Sequence, residues 1–180
     1  AGLLAYHWER AGDATRALPA LQRAARLASA QYANLEAIDY CTRALALLPE
    51  ENLSDRYTLI AARENCYDLL GNREAQQRDQ QALVHIAQQL NEGHYLADIA
   101  GREANRAWQM GDYSRALEAI QTAVRLGEAY NLPQPQAYAY LTWGRVLMYQ
   151  AQYETAQAVL EKGLPITRTA GLHSLEANIL

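Results

Sequence analysis

A turn-like signature returns along this chain at a fixed interval. Gly71-Asn72-Arg73-Glu74-Ala75 is followed forty residues later by Gly111-Asp112-Tyr113-Ser114-Arg115-Ala116 and forty later again by Ala151-Gln152-Tyr153-Glu154-Thr155-Ala156. A further segment, Tyr32-Ala33-Asn34-Leu35-Glu36-Ala37, lies thirty-nine residues before Gly71. A period in this range means that a unit cannot bury its apolar face alone and that stacked neighbours share one core. Such a unit holds two helices of roughly 16 to 18 residues each. Gly12-Asp13, with Ala17 after it, falls about half a period out of step, the offset one extra helix produces. The chain is therefore expected to form about nine helices and the start of a tenth, with no sheet.

Within the units the apolar residues keep helical spacing. Tyr113, Ala116, Leu117, Ile120, Ala123, Val124 and Gly127 mark one buried face, and Tyr153, Ala156, Val159, Leu160, Gly163 and Leu164 repeat it. Gly71 and Gly111 are placed to end helices in the left-handed conformation, and Asp13, Asn72 and Asp112 to cap the next ones. Pro49 ends the third helix, and Leu132-Pro133-Gln134-Pro135 is expected to separate the seventh from the eighth. Pro19 and Pro165 fall inside helical patterns, where each should delete one backbone hydrogen bond and kink its helix. Glu50-Glu51 stand just before a helix start near Asn52, where acidic groups favour the positive end of the dipole.

At 180 residues, half of them hydrophobic, the chain can bury one elongated core without disulfides or metal. Cys41 and Cys66 lie on apolar faces as reduced core residues. A net charge of −4 supplies no positive field for nucleic acid, and no apolar run is long enough to span a membrane. No signal peptide opens the sequence, so a cytoplasmic location is expected. No phosphate-binding loop, dinucleotide fingerprint or nucleophile elbow is present, and the four histidines show no ligand-like spacing. His94 and Asp98, at i, i+4, read as a solvated pair rather than a metal site. No catalytic residue, cofactor or metal is assigned. Arg63-Glu64 and Arg102-Glu103 recur in successive units and are read as a salt-bridge ladder between adjacent helices, because buried charges are costly unless paired.

One helical repeat class reads W-x2-L-G-x2-Y, then A-x3-F, then P. Tyr140-x2-Trp143-Gly144-x2-Leu147 and Ala156-x3-Leu160 fill those positions with similar sizes, and Ala116-x3-Ile120 supplies the second helix again. Leu4-Ala5-x2-Trp8 with Ala17-x3-Leu21, and Ala37-x3-Cys41-x2-Ala44 before Pro49, follow the same rule. The chain resembles a tetratricopeptide-repeat (TPR) array over nearly its whole length. It departs from that pattern in its longer units, in the missing closing prolines of later units, and in Glu103, which stands where leucine is usual. Two segments, Tyr32 to Leu45 and Arg63 to Ala75, resemble the long-repeat TPR regions of multidomain signalling (STAND-type) ATPases and related transcriptional regulators.

The resemblance implies an all-α superhelix, a right-handed solenoid of antiparallel hairpins spanning residues 1–180. Its units would cover about 1–31, 14–49, 52–91, 94–131 and 134–171, with a further helix starting in 172–180. Helical patterns run into both Ala1 and Leu180 without a polar capping face, as expected of an excerpt from a larger protein.

The resemblance also implies that the first helix of each hairpin lines a concave, partner-binding groove. By register from the three turns, that groove would present Asn65, Asp68, Arg102, Asn105, Trp108, Gln109, Tyr138, Arg145, Met148 and Tyr149, with Asp98 and Leu141 beside them. Arg23 and Arg26 hold equivalent places in the half-step helix. Asn65, Asn105 and Arg145 occupy one equivalent position, where an amide can hold a peptide backbone and a guanidinium a carboxylate. Trp108 and Met148 read equally well as groove or core, and Trp8 and Trp143 as core. The expected function is a non-catalytic scaffold binding a protein or peptide, or neighbouring domains of its own chain. Two alternatives are a ligand-sensing arm that regulates an attached ATPase or transcription regulator, and a self-association module.

Overall fold

The computed structural model describes residues 2–179. Ala1 and Leu180, on which the reading of the chain ends rests, lie outside the described residues. The described residues form ten helices and no strand: α1 (Gly2–Arg10), α2 (Ala14–Ala30), α3 (Asn34–Leu47), α4 (Leu53–Leu70), α5 (Arg73–Leu90), α6 (Gly93–Gln109), α7 (Tyr113–Ala129), α8 (Pro133–Tyr149), α9 (Tyr153–Thr169) and α10 (His173–Ile179). None of them is long and apolar enough to cross a membrane.

The turn chemistry acts as the sequence suggests. Gly71 ends α4 at φ 69° and Gly111 ends α6 at φ 76°, a conformation without penalty only where Cβ is absent. The Asp13 carboxylate accepts from the Arg16 amide at 3.0 Å, Asn72 from Ala75 at 3.2 Å, and Asp112 from Arg115 at 3.1 Å. Asn52 caps α4 directly after Glu50-Glu51, accepting from the Asp55 amide. Where the period lacks glycine, other residues take the left-handed turn: Tyr32 (φ 57°), Asn91 (φ 49°), Asn131 (φ 53°) and Ala151 (φ 59°). Asparagine tolerates this region, whereas Ala151 meets the full Cβ penalty.

Proline placement differs from expectation at one point. Pro133 and Pro135 do not separate α7 from α8 but open α8, with Leu132 as its N-cap. There the missing N–H would have had no helical partner and the fixed φ suits the first turn. Pro49 follows Leu48, whose extended backbone ends α3. Pro19 and Pro165 lie inside α2 and α9, each unbroken, with both rings exposed.

The chain forms two compact units, Ala1–Leu90 and Asn91–Leu180. In the first, successive helices pack antiparallel and α2 also meets α4. In the second, α6 also meets α8, and α8 also meets α10. Among the described residues the backbones of α3 and α5, and of α7 and α9, stay apart, and α1 reaches α3 through side chains, Glu9 of α1 pairing with Arg43 of α3. Within each unit the backbones of helices two apart come close only in the even-numbered layer, which makes that layer the concave side.

Small residues set the crossings. Ala5, Ala17, Ala37 and Ala44 in the first unit, and Ala116, Ala123 and Ala137 in the second, are fully buried. A side chain added at Gly144 would run into Leu160 of α9, and one at Gly127 into Gln136 of α8. Around these contacts Leu21, Cys41, Leu48 and Leu59 fill one core, and Ile120, Val146, Leu147 and Val159 the other. Trp8 and Trp143 are half-buried against these cores.

A polar seam joins α4 to its neighbours. The Arg63 guanidinium donates to both carboxylate oxygens of Asp79 on α5, at 2.8 and 2.7 Å, and to the Thr42 hydroxyl of α3 at 3.0 Å. Glu64, 3% exposed, accepts from the side-chain amides of Gln76 and Gln80, each at 2.9 Å. In the second unit Glu103 pairs with Arg106 at 2.7 Å and reaches across to Arg115 at the start of α7, but Arg102 turns to Asp98 on its own helix. The inter-helix ladder is thus formed by Arg63 and Glu64 in the first unit and by Glu103 in the second.

Cys41 and Cys66 are buried free thiols. Burial, the largest cause, together with nearby Cys66, pushes the Cys41 thiol up to about 12, and burial likewise raises Cys66.

Three outcomes follow from this packing. Ala151→Gly should raise stability by about 1 kcal/mol, read as a rise of roughly 2–4 °C in Tm. Arg63→Met should lower it by about 3–5 kcal/mol by leaving Asp79 buried and unpaired, and Arg63→Met/Asp79→Leu should recover most of that loss in urea titrations. Neither cysteine should react with Ellman's reagent at pH 8 until denaturant is added. Because Cys41 stays protonated in the fold past 9.0, where its unfolded counterpart ionises, its contribution to stability is complete below that pH and is lost toward about 12.

Candidate binding surface

The inner layer of the second unit is built from α6 and α8, which run parallel because each begins a hairpin. Their small residues, Ala100, Ala104 and Ala107 on α6 and Ala137, Ala139 and Gly144 on α8, turn toward the neighbouring helices. The Thr142 hydroxyl of α8, buried with them, donates to the Tyr138 carbonyl at 3.0 Å. What remains on the layer's free side is polar or aromatic. Asn105 of α6 and Arg145 of α8 stand six residues before their turns, both half-buried. Neither makes a hydrogen bond or ion pair with another described residue. Side-by-side helices lie about 8–10 Å apart, so these two groups border one strip of the surface.

An aromatic edge flanks that strip. The rings of Trp108 and Tyr149 meet at 5.7 Å with an interplanar angle of 73°, an edge-to-face pair linking the C-terminal ends of α6 and α8. Trp108 is half-buried against the core, whereas Tyr149 is 69% exposed and Met148 50% exposed. The two readings of Trp108 and Met148 thus separate: Met148 belongs to the surface, and Trp108 serves core and surface together. Tyr138 is exposed one helical face away, and Gln109 is exposed at the end of α6.

Other residues expected in the groove are arranged differently. Leu141 is 4% exposed and packs inward, because α8 is flanked by α6, α7, α9 and α10 and has little free surface. Arg102 donates to Asp98 at 2.7 Å, four residues earlier, so both are engaged within the fold. In the first unit Asn65 is exposed on α4 and Asp68 is ion-paired with Arg73.

The surface also holds residues that register did not single out. Met110 is 74% exposed in the turn after Trp108. Tyr153, placed on the buried face by its helical spacing, is 67% exposed at the first residue of α9. Helical spacing alone therefore misplaced it: the buried face of α9 begins at Ala156. With Tyr149 and Met148, these residues form an apolar margin around the α6–α7 and α8–α9 turns.

No family model matches the sequence, and no curated protein matches it. Among solved structures, the crystal structure of the apo form of RapI, a TPR-like helical repeat protein, is similar over 97% of this chain and 72% of its own. The TM-score is 0.75 at 15% sequence identity. That likeness shows the fold, an all-α helical-repeat superhelix of antiparallel hairpins.

Proposed function

We propose that this chain is a non-catalytic, cytoplasmic protein-interaction module whose second unit receives a partner peptide along the concave side of α6 and α8. A TPR-like helical-repeat fold is consistent with a protein-binding role. The observation that carries the reading is the pairing of two half-buried polar side chains that have no internal partner, Asn105 and Arg145, with the aromatic edge of Trp108 and Tyr149. An amide that bonds nothing in its own fold can take a peptide N–H and C=O together, and a guanidinium can take a carboxylate with two parallel hydrogen bonds. Tyr149, Met148 and Trp108 then offer adaptable apolar surface to a flanking side chain.

The narrower setting, an arm of a signalling ATPase, rests on the resemblance of Tyr32–Leu45 and Arg63–Ala75 alone. It requires a P-loop segment in the parent protein and would make partner binding a regulatory event.

The test is selection of a peptide from a phage-displayed library on the chain, followed by calorimetric titration of the synthetic peptide. Arg145→Ala should weaken binding at least tenfold, roughly 1.4 kcal/mol, and Asn105→Ala should weaken it less, with helicity unchanged by circular dichroism. Equal affinity in wild type and Arg145→Ala would remove α8 from the interface.

A further inference from the structure

Acidic residues outnumber basic ones in this chain, 20 to 16, and most of its arginines are paired internally. Arg43 holds Glu9 and Asp39, Arg63 holds Asp79, Arg73 holds Asp68, and Arg102, Arg106 and Arg115 hold Asp98 and Glu103. Arg10, Arg16, Arg56, Arg78, Arg125 and Arg168 each reach a hydroxyl, carbonyl or carboxylate. Among the described residues three arginines remain with no hydrogen bond or ion pair: Arg23, Arg26 and Arg145.

Their positions follow a rule. Of the ten helices only α2 and α8 contain no aspartate or glutamate, and all three unpaired arginines lie on those two helices. Both belong to the inner layer of their own unit. Arg145 has its place in the reading above, whereas Arg23 and Arg26 lie in the first unit and are unused by it. They are exposed and one helical turn apart, a spacing at which like charges repel. Leu27, 46% exposed, stands one turn beyond Arg23 on the same face. The fold thus leaves two uncompensated positive charges beside an uncovered apolar side chain, and no carboxylate on α2 to balance them.

We propose that this face of α2 is a docking surface for an acidic protein segment, one whose carboxylates are spaced to meet Arg23 and Arg26 and whose apolar side chain covers Leu27. The proposal stands apart from the α6–α8 reading, since it uses a different unit and different residues. Charge complementarity selects the occupant. Guanidinium groups a turn apart match carboxylates a turn apart on a partner helix, in bidentate fashion. A nucleic acid would need a wider positive field than two arginines on a chain of net charge −4 provide.

Fluorescence anisotropy decides it, with the intact chain and a fluorescein-labelled peptide of repeated Leu-Glu-Glu units as probe, at low ionic strength. Wild type is expected to bind that peptide and not its Leu-Lys-Lys counterpart. Arg23→Glu/Arg26→Glu should weaken binding at least tenfold, and the milder Arg23→Gln/Arg26→Gln severalfold, with helicity unchanged. Arg78→Glu/Arg125→Glu, which alters net charge equally on α5 and α7, should leave binding intact, as should Arg145→Ala. The proposal is overturned if wild type ignores the acidic peptide, if both double reversals weaken it alike, or if single-stranded DNA competes it away. Loss only in Arg145→Ala would overturn it and place the acidic segment on α8.

Discussion

The close crossing of helices at small residues is the contact on which the rest of this fold depends. Ala5, Ala17, Ala116 and Ala137 are fully buried, and Gly144 leaves only the space that Leu160 occupies. At such separations backbone approaches backbone, and the larger side chains, Leu21, Ile120 and Val146, are pushed to either side of the crossing, where they interlock with the next helix. A unit therefore finishes its core only with its neighbour, and the backbones of helices two apart come close in one layer alone. The concave face is a by-product of that geometry, and whatever stands on it is exposed because the layer has no further helix to cover it.

The polar seam of α4 is the exception within this apolar scheme. Glu64, Gln76 and Asp79 are buried where the second unit has alanine and valine. A buried ion pair seldom adds stability over an apolar contact of the same volume, because desolvation offsets the attraction. What it adds is directional: Asp79 satisfies Arg63 in one register of α4 against α5, and Thr42 fixes α3 to the same guanidinium. The long, weakly amphipathic α4 could slide along its neighbours without losing much apolar contact, and the hydrogen bonds remove that freedom.

Much of this was legible in the sequence, and the reasons are local. The fixed interval between Gly71, Gly111 and Ala151 identified the repeat because a helix end needs a left-handed residue, a requirement a single position can reveal. Caps at Asp13, Asn72 and Asp112 were readable on the same ground. What stayed hidden depended on residues far away in sequence or on what lies outside a helix. Helical spacing put Tyr153 with Ala156 on one buried face, yet Tyr153, the first residue of α9, is exposed and burial begins only at Ala156. Leu141 was placed on the free surface by register, although α8 is enclosed by four other helices. Charge pairing was ambiguous for a similar reason: Arg63 and Arg102 open the same Arg-Glu pair in successive units, one residue out of register, and Arg63 finds Asp79 sixteen residues ahead whereas Arg102 finds Asp98 four residues behind.

That difference bears on how the surface chemistry should be weighed. An arginine on a repeat protein is uninformative until its partners are known, since most guanidinium groups here are bound up in holding helices together. Arg102 and Asp68 looked as suited to a ligand as Arg145 did, and both turn out to be engaged within their own chain. Engagement can be exchanged for a ligand only at the cost of the pair, whereas a side chain without an internal partner gives up water alone. A carboxylate arriving at Arg145, or at Arg23 and Arg26, displaces no structural contact. It also meets no acidic neighbour on the same helix, because α2 and α8 have none. The surfaces free to bind are therefore marked less by the residues they contain than by the contacts those residues do not make.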